Sequence, residues 1–145
     1  MRRLIIIFAF MGAAPLALAA NIVSGDSVER FVDTSKAQLF ICRLEIQTEL
    51  LSVNASIEML ASKLIAIKDA CKSGAQEPYK KVRSKIAKKP GASRLLDDYY
   101  AFWLTALSGT TPGSGEIKRD YERRQLMNNT TLEEKGNRLM VEVSR

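Results

Sequence analysis

The chain has 145 residues, 22 of them Lys or Arg against 16 Asp or Glu, with 46% hydrophobic residues and no histidine. That length holds one domain with a real core, and the mild net charge of +6 does not specify an anionic partner by itself. The missing imidazole removes Ser–His–Asp and Cys–His nucleophile activation, histidine acid–base work and histidine metal sites.

The chain opens MRRLIIIFAFMGAAPLALAAN. Arg2 and Arg3 form a positive n-region, residues 4–11 an unbroken apolar run, and Ala17 and Ala19 the small residues a signal peptidase reads. We read residues 1–19 as a secretory signal peptide and residues 20–145 as a single helical domain. A membrane anchor is the rival, but the run falls short of the roughly 20 residues that cross a bilayer, and Pro15 interrupts it. Removing the two arginines lowers the basic count from 22 to 20 against 16 acids, a mature charge of +4. The expected location is the periplasm or the exterior, where a disulfide is the default fate of two cysteines. The signal resembles a bacterial one in style. Asn54 and Asn129 head N-x-Ser/Thr triplets, which act as acceptors only in a eukaryotic secretory path.

Asp26, with Glu29 three residues on, reads as a capping box opening a helix. Ile46, Leu50, Val53, Ile57, Leu60, Leu64, Ile67 and Cys71 then alternate spacings of four and three, an apolar seam. Leu44, Leu51, Ala61 and Ile65 widen that stripe as a bundle helix requires. Cys42 and Cys71, the only cysteines, flank its midpoint. On one straight helix they would lie about 43 Å apart, whereas a disulfide needs Cα atoms within about 7 Å. The unbroken phase of the seam favours a straight helix, with the thiols pairing between two antiparallel copies. The oxidising compartment, the tolerance of Asn54 for left-handed backbone and the capping capacity of Ser52 and Ser56 favour a turn between Ser52 and Ser56. The turn, with an intrachain Cys42–Cys71 bond, is the expected outcome.

Gly74 reads as the cap ending this run. The stretch EPYKKVRSKIAKKPG then predicts a separate basic helix, with Pro78 in its first turn. Ser93 is expected to cap a third helix, RLLDDYYAFWLTAL, closed by Gly109. A loop, TTPGSG, follows. A helix EIKRDYERRQLM comes next, with Glu116–Arg119 and Asp120–Arg124 pairs. Thr130–Glu133 and Thr131–Glu134 read as capping boxes for a last helix ending in LMVEV, where a short strand is the alternative. The fold class is therefore all-α: a small bundle of four to six helices, whose N-terminal part is a helical hairpin or one long helix carrying the main seam.

Sites for chemistry are few. The cysteines are too far apart for a CxxC redox pair or a zinc knuckle, and the chain has no Ser-x-x-Lys and no phosphate loop. Adjacent carboxylates Asp97 and Asp98 diverge by about 100° on a helix, so they do not face each other as an acid/base pair. No catalytic residue, metal ligand or cofactor is assigned, and the chain is read as not an enzyme. Lys80, Lys81, Arg83, Lys85, Lys88 and Lys89 form the densest charge feature and the candidate surface for an anionic partner, against a plain solvated helix face. Nucleic acid is disfavoured by export and by the single stacking ring, Tyr79. In DDYYAFWLTAL, Leu96, Tyr99, Trp103 and Leu107 share one face and read as core, leaving Tyr100 and Phe102 as the candidate aromatic anchor.

Small helical exported proteins that bridge two cysteines include inhibitors, immunity proteins and envelope chaperones. That likeness is of type and carries no shared motif. The expected function is an exported cell-envelope binding or inhibitory module, acting on another envelope protein by surface complementarity. The alternatives are an envelope hydrolase using carboxylates, and a structural dimer built on the seam from Ile46 to Cys71.

Overall fold

The computed structural model describes residues 22–51 and 56–145, and among them the chain forms four helices and no strand. These are α1 (Val28–Leu50), α2 (Ile57–Lys85), α3 (Pro90–Ser108) and α4 (Lys118–Ser144). The expected all-α bundle forms, with four helices. The proposed signal segment lies outside the described residues. So do Ser52, Val53, Asn54 and Ala55, the centre of the expected turn.

The N-terminal half is a hairpin. α1 stops at Leu50, and Ser56 caps α2, its hydroxyl accepting from the Met59 N–H at 3.2 Å. The helices run antiparallel: Glu49 pairs with Lys63 at 2.9 Å, Cys42 is bonded to Cys71, and Asp26 pairs with Lys81 at 3.2 Å. The cysteine Cα atoms are 6.5 Å apart and both residues are fully buried. Of the seam, Ile46, Ile67 and Cys71 are buried between the helices, whereas Leu50 and Ile57 beside the break are exposed.

Several expected boundaries move, each because packing outweighs a local signal. Ser27, rather than Asp26, caps α1, accepting from the Arg30 N–H at 3.1 Å. Gly74 does not end α2, and the basic stretch is no separate helix: α2 runs on through Pro78 to Lys85. Cys71, Ala75 and Val82 continue one buried face through that region. Their burial outweighs the hydrogen bond that proline removes. Ser93 is not a cap; α3 begins at Pro90, and the Ser93 hydroxyl donates to the Ile86 carbonyl at 2.9 Å. Gly109 closes α3 as expected.

The last two expected helices are one. Leu132, Gly136 and Leu139 are buried at helical spacing and carry α4 through both supposed capping boxes. The Thr130 hydroxyl donates to the Leu126 carbonyl within the helix at 3.1 Å, and LMVEV is helical rather than extended. The two expected ion pairs also rearrange. Glu116 stands before α4 and binds Arg124, while Asp120 lies near Arg119 and Arg123.

The four helices run up, down, up, down. The core joins Phe31 and Val32 of α1, Val82 of α2, Leu96, Tyr99 and Trp103 of α3, and Leu132 and Leu139 of α4. Buried polar atoms are tied across it: the Trp103 indole donates to the Ser35 carbonyl at 2.8 Å, and the Tyr99 and Ser35 hydroxyls meet at 2.8 Å. A Cβ on Gly136 would stand 2.9 Å from Val32 Cγ1, so glycine there lets α4 approach α1 closely. α3 ends level with Lys68, whose ammonium donates to the Ser108 carbonyl at 3.0 Å. Beyond that level α3 no longer covers the α1–α2 hairpin, and this end of the hairpin is here called the arm. No residue of α2 between 57 and 66 is buried. That is about ten residues, or roughly 15 Å of helix.

Candidate functional site

Most cations of the basic run make ion pairs or carbonyl contacts within the chain, while all but Arg83 remain exposed. Lys80 pairs with Glu77 at 2.7 Å and Lys81 with Asp26 at 3.2 Å. Arg83 donates to Asp97 at 2.7 Å. Lys85 reaches back to the carbonyls of Gly25 and Asp26, at 3.1 and 2.6 Å. Lys89 donates to the Val143 carbonyl at 2.7 Å, where a cation complements the negative end of α4. The cations thus hold down the segment before α1, the flank of α3 and the end of α4. Lys88 and Arg94 make no ion pair or side-chain hydrogen bond among the described residues.

The aromatic pair is committed in the same way. The Tyr100 ring stacks on Tyr79 with centroids 4.1 Å apart and on Trp103 at 6.0 Å. Phe102 is half-buried, and the Lys135 ammonium lies 5.6 Å from its ring centroid. The Tyr79 hydroxyl donates to Asp97 at 2.8 Å. Burial and that carboxylate together push the phenol up to about 12. Asp97 therefore serves Tyr79 and Arg83, and Asp98 is paired with Lys135. The two carboxylates point to different partners.

A second polar centre locks the loop between α3 and α4. Arg124 donates to Glu116 at 2.6 and 2.9 Å and to the carbonyls of Gly109 and Thr111. The Gly113 N–H also donates to Glu116, at 2.8 Å. The Arg124 hydrogen bonds, then the Gly113 N–H, hold the Glu116 carboxyl down at about 2. These bonds satisfy the open carbonyls at the end of α3, so their evident role is to fix the loop.

The open surface lies elsewhere, between α1 and α4. Lys36, Leu39, Phe40 and Arg43 form one wall of a recess of about 240 Å³, and Gln125, Asn129, Leu132 and Glu133 form the other. Leu39 and Leu132 are buried at its floor, while Phe40 is 51% exposed at its rim. The Arg43 guanidinium lies 5.2 Å from the Phe40 ring centroid. Leu126 and Met127, also exposed, extend the apolar surface of α4. None of these residues was singled out from sequence. The available signal was Phe40 at one helical turn from Leu44, off the main seam, and Leu126–Met127 standing apolar in a polar helix.

Among the described residues no group of three or more His, Cys, Asp or Glu is placed to hold a metal ion, and no helix is long and apolar enough to cross a membrane. Comparison with protein-family models, curated proteins and solved structures returns no match, so the functional reading rests on this geometry.

Proposed function

We propose that this chain is an exported binding module of the cell envelope that engages another envelope protein through the groove between α1 and α4. The observation that carries the reading is the half-exposed Phe40 beside Arg43, over a floor made by Leu39 and Leu132. Aromatic and arginine side chains at the edge of a desolvated pocket are the residues that dominate protein interfaces. The complementary partner inserts an apolar side chain over Leu39 and Leu132 and brings a carboxylate to Lys36 and Arg43. Export is supported by the form of residues 1–19 and by the Cys42–Cys71 bond, which persists in an oxidising compartment. Binding without chemistry is favoured because Asp97, Asp98 and Glu116 are each held by a cation.

The test is capture from envelope extract with the mature protein and with Phe40→Asp. A single stoichiometric protein partner, lost with Phe40→Asp while the melting temperature holds, is the expected result. Equal capture by both proteins contradicts the groove. Turnover of a glycan substrate, abolished by a carboxylate-to-amide change, contradicts the non-catalytic reading.

A further inference from the structure

We propose that the α1–α2 arm is a self-association surface, and that the tip of each arm seats at the base of the arm of a second copy. One face of α2 is set against α3. Lys68, Tyr79 and Arg83 lie on it, and each donates to α3: Lys68 to the Ser108 carbonyl at 3.0 Å, Tyr79 and Arg83 to Asp97 at 2.8 and 2.7 Å. Helical phase places Ile57, Ala61 and Ile65 on that same face. The face therefore continues upward as apolar surface after α3 has stopped at Ser108. Ile57 is 87% and Ile65 61% exposed, and on the α1 side of the arm Leu51 is 79% exposed. Two helices bury only the strip between them; a wider stripe is covered by a further helical layer.

Charge and shape select a second copy as that layer. The tip of the arm carries Glu58, and its base carries Lys68 and Lys72. Neither Glu58 nor Lys72 has an ion pair among the described residues. Between α2 and α3 at the base lies a recess of about 230 Å³, lined by Lys68, Asp69, Lys72, Leu104, Leu107 and Ser108. It carries Leu104 and Leu107 on the α3 side and two lysines against one aspartate, Asp69, on the α2 side, a net positive charge, and the tip presents Ile57 beside Glu58. Ile57 and Lys72 are about 22 Å apart along α2, so a two-fold axis placed midway falls near Ile65. Each tip then enters the other recess, and Ile65 meets its own counterpart. The arm is already fixed for this contact. The disulfide lies one turn below Ile46 and Ile67, and the Glu49–Lys63 pair ties the two helices above it.

The proposal is tested by sedimentation equilibrium of the oxidised mature protein from about 1 to 200 µM. A concentration-dependent dimer is expected. Ile65→Lys, a surface change in the folded monomer, should weaken association at least about tenfold and leave the melting transition of the dilute protein in place. Glu58→Lys and Lys72→Glu should each weaken the dimer, and the two changes combined in one chain should restore it. A monomer at every concentration overturns the proposal. So does a dimer indifferent to Ile65→Lys and to the charge exchange, and so does a monomer whose arm binds phosphatidylcholine vesicles through Ile57.

Discussion

Glu116 shows how a single carboxylate closes a loop that turn residues alone leave loose. It stands two residues before α4, yet it takes hydrogen bonds from Arg124 and from the Gly113 N–H. Its carboxyl sits at about 2 in the fold, below the ordinary value of 4.5. A carboxyl depressed by folding stabilises the fold above its unfolded value and loses that contribution as pH falls toward the folded one. Urea midpoints measured from neutral pH down to acid should therefore drop between about pH 4.5 and 2. Glu116→Gln should be less stable at neutral pH, with a shallower acid limb. A second residue-scale prediction separates cations that look alike in sequence. Lys85→Gln breaks bonds to the carbonyls of Gly25 and Asp26 and should cost on the order of 0.5–1 kcal/mol, given its exposure. Lys88→Gln should leave the urea midpoint unchanged. Both residues belong to one basic run, and periodicity could not tell them apart. What distinguishes them is the return of the segment before α1 along α2, a contact between residues 59 or 60 positions apart.

The element scale explains which parts of the fold could be read in advance. The helical class, the loop before α4 and the core face of α3 follow from apolar periodicity and turn residues, whereas the hairpin and its Cys42–Cys71 bond follow from redox chemistry and capping residues against a seam that reads as one straight helix. The number of helices was legible only as a range, because Gly74, Pro78, Thr130 and Thr131 are boundary signals that the fold overrides. Pro78 is the sharpest case. It removes a backbone hydrogen bond inside α2, and the backbone of Gly25 passes against it: a Cβ on Gly25 would lie 2.9 Å from the Pro78 carbonyl oxygen. That contact is with backbone atoms, so it survives removal of the ring. Pro78→Ala should therefore stabilise the protein, by roughly 1–3 kcal/mol from the usual cost of a mid-helix proline. A lower urea midpoint would show instead that packing along α2 depends on the ring. The disulfide belongs to this scale as well. Replacing Cys42 and Cys71 together by Ala should cost roughly 3 kcal/mol, most of it through the freed unfolded chain. Equal stability with and without the bond would show that the helix interface alone holds the hairpin.

At the scale of the whole molecule, the surfaces most conspicuous in the sequence make many of their contacts within the chain, while five of the six cations of the basic run keep exposed side chains. The basic run binds carboxylates and carbonyls of the same chain, and Tyr100 and Phe102 are covered by Tyr79, Trp103 and Lys135. Two exposed apolar surfaces, the groove at Phe40 and the arm, are assembled from residues distant in sequence. The groove joins α1 to α4 across roughly 90 positions of the sequence, which is why residue pattern alone could not show it. The proposed binding mode puts a partner at this groove rather than at the basic face. A photo-crosslinking amino acid placed at position 40 in one version of the protein and at position 88 in another, each irradiated in intact source cells, separates the two surfaces. A discrete covalent adduct with one protein from position 40 and none from position 88 is the expected result. An adduct from position 88 with none from position 40 would contradict it and return the function to the basic face of α2.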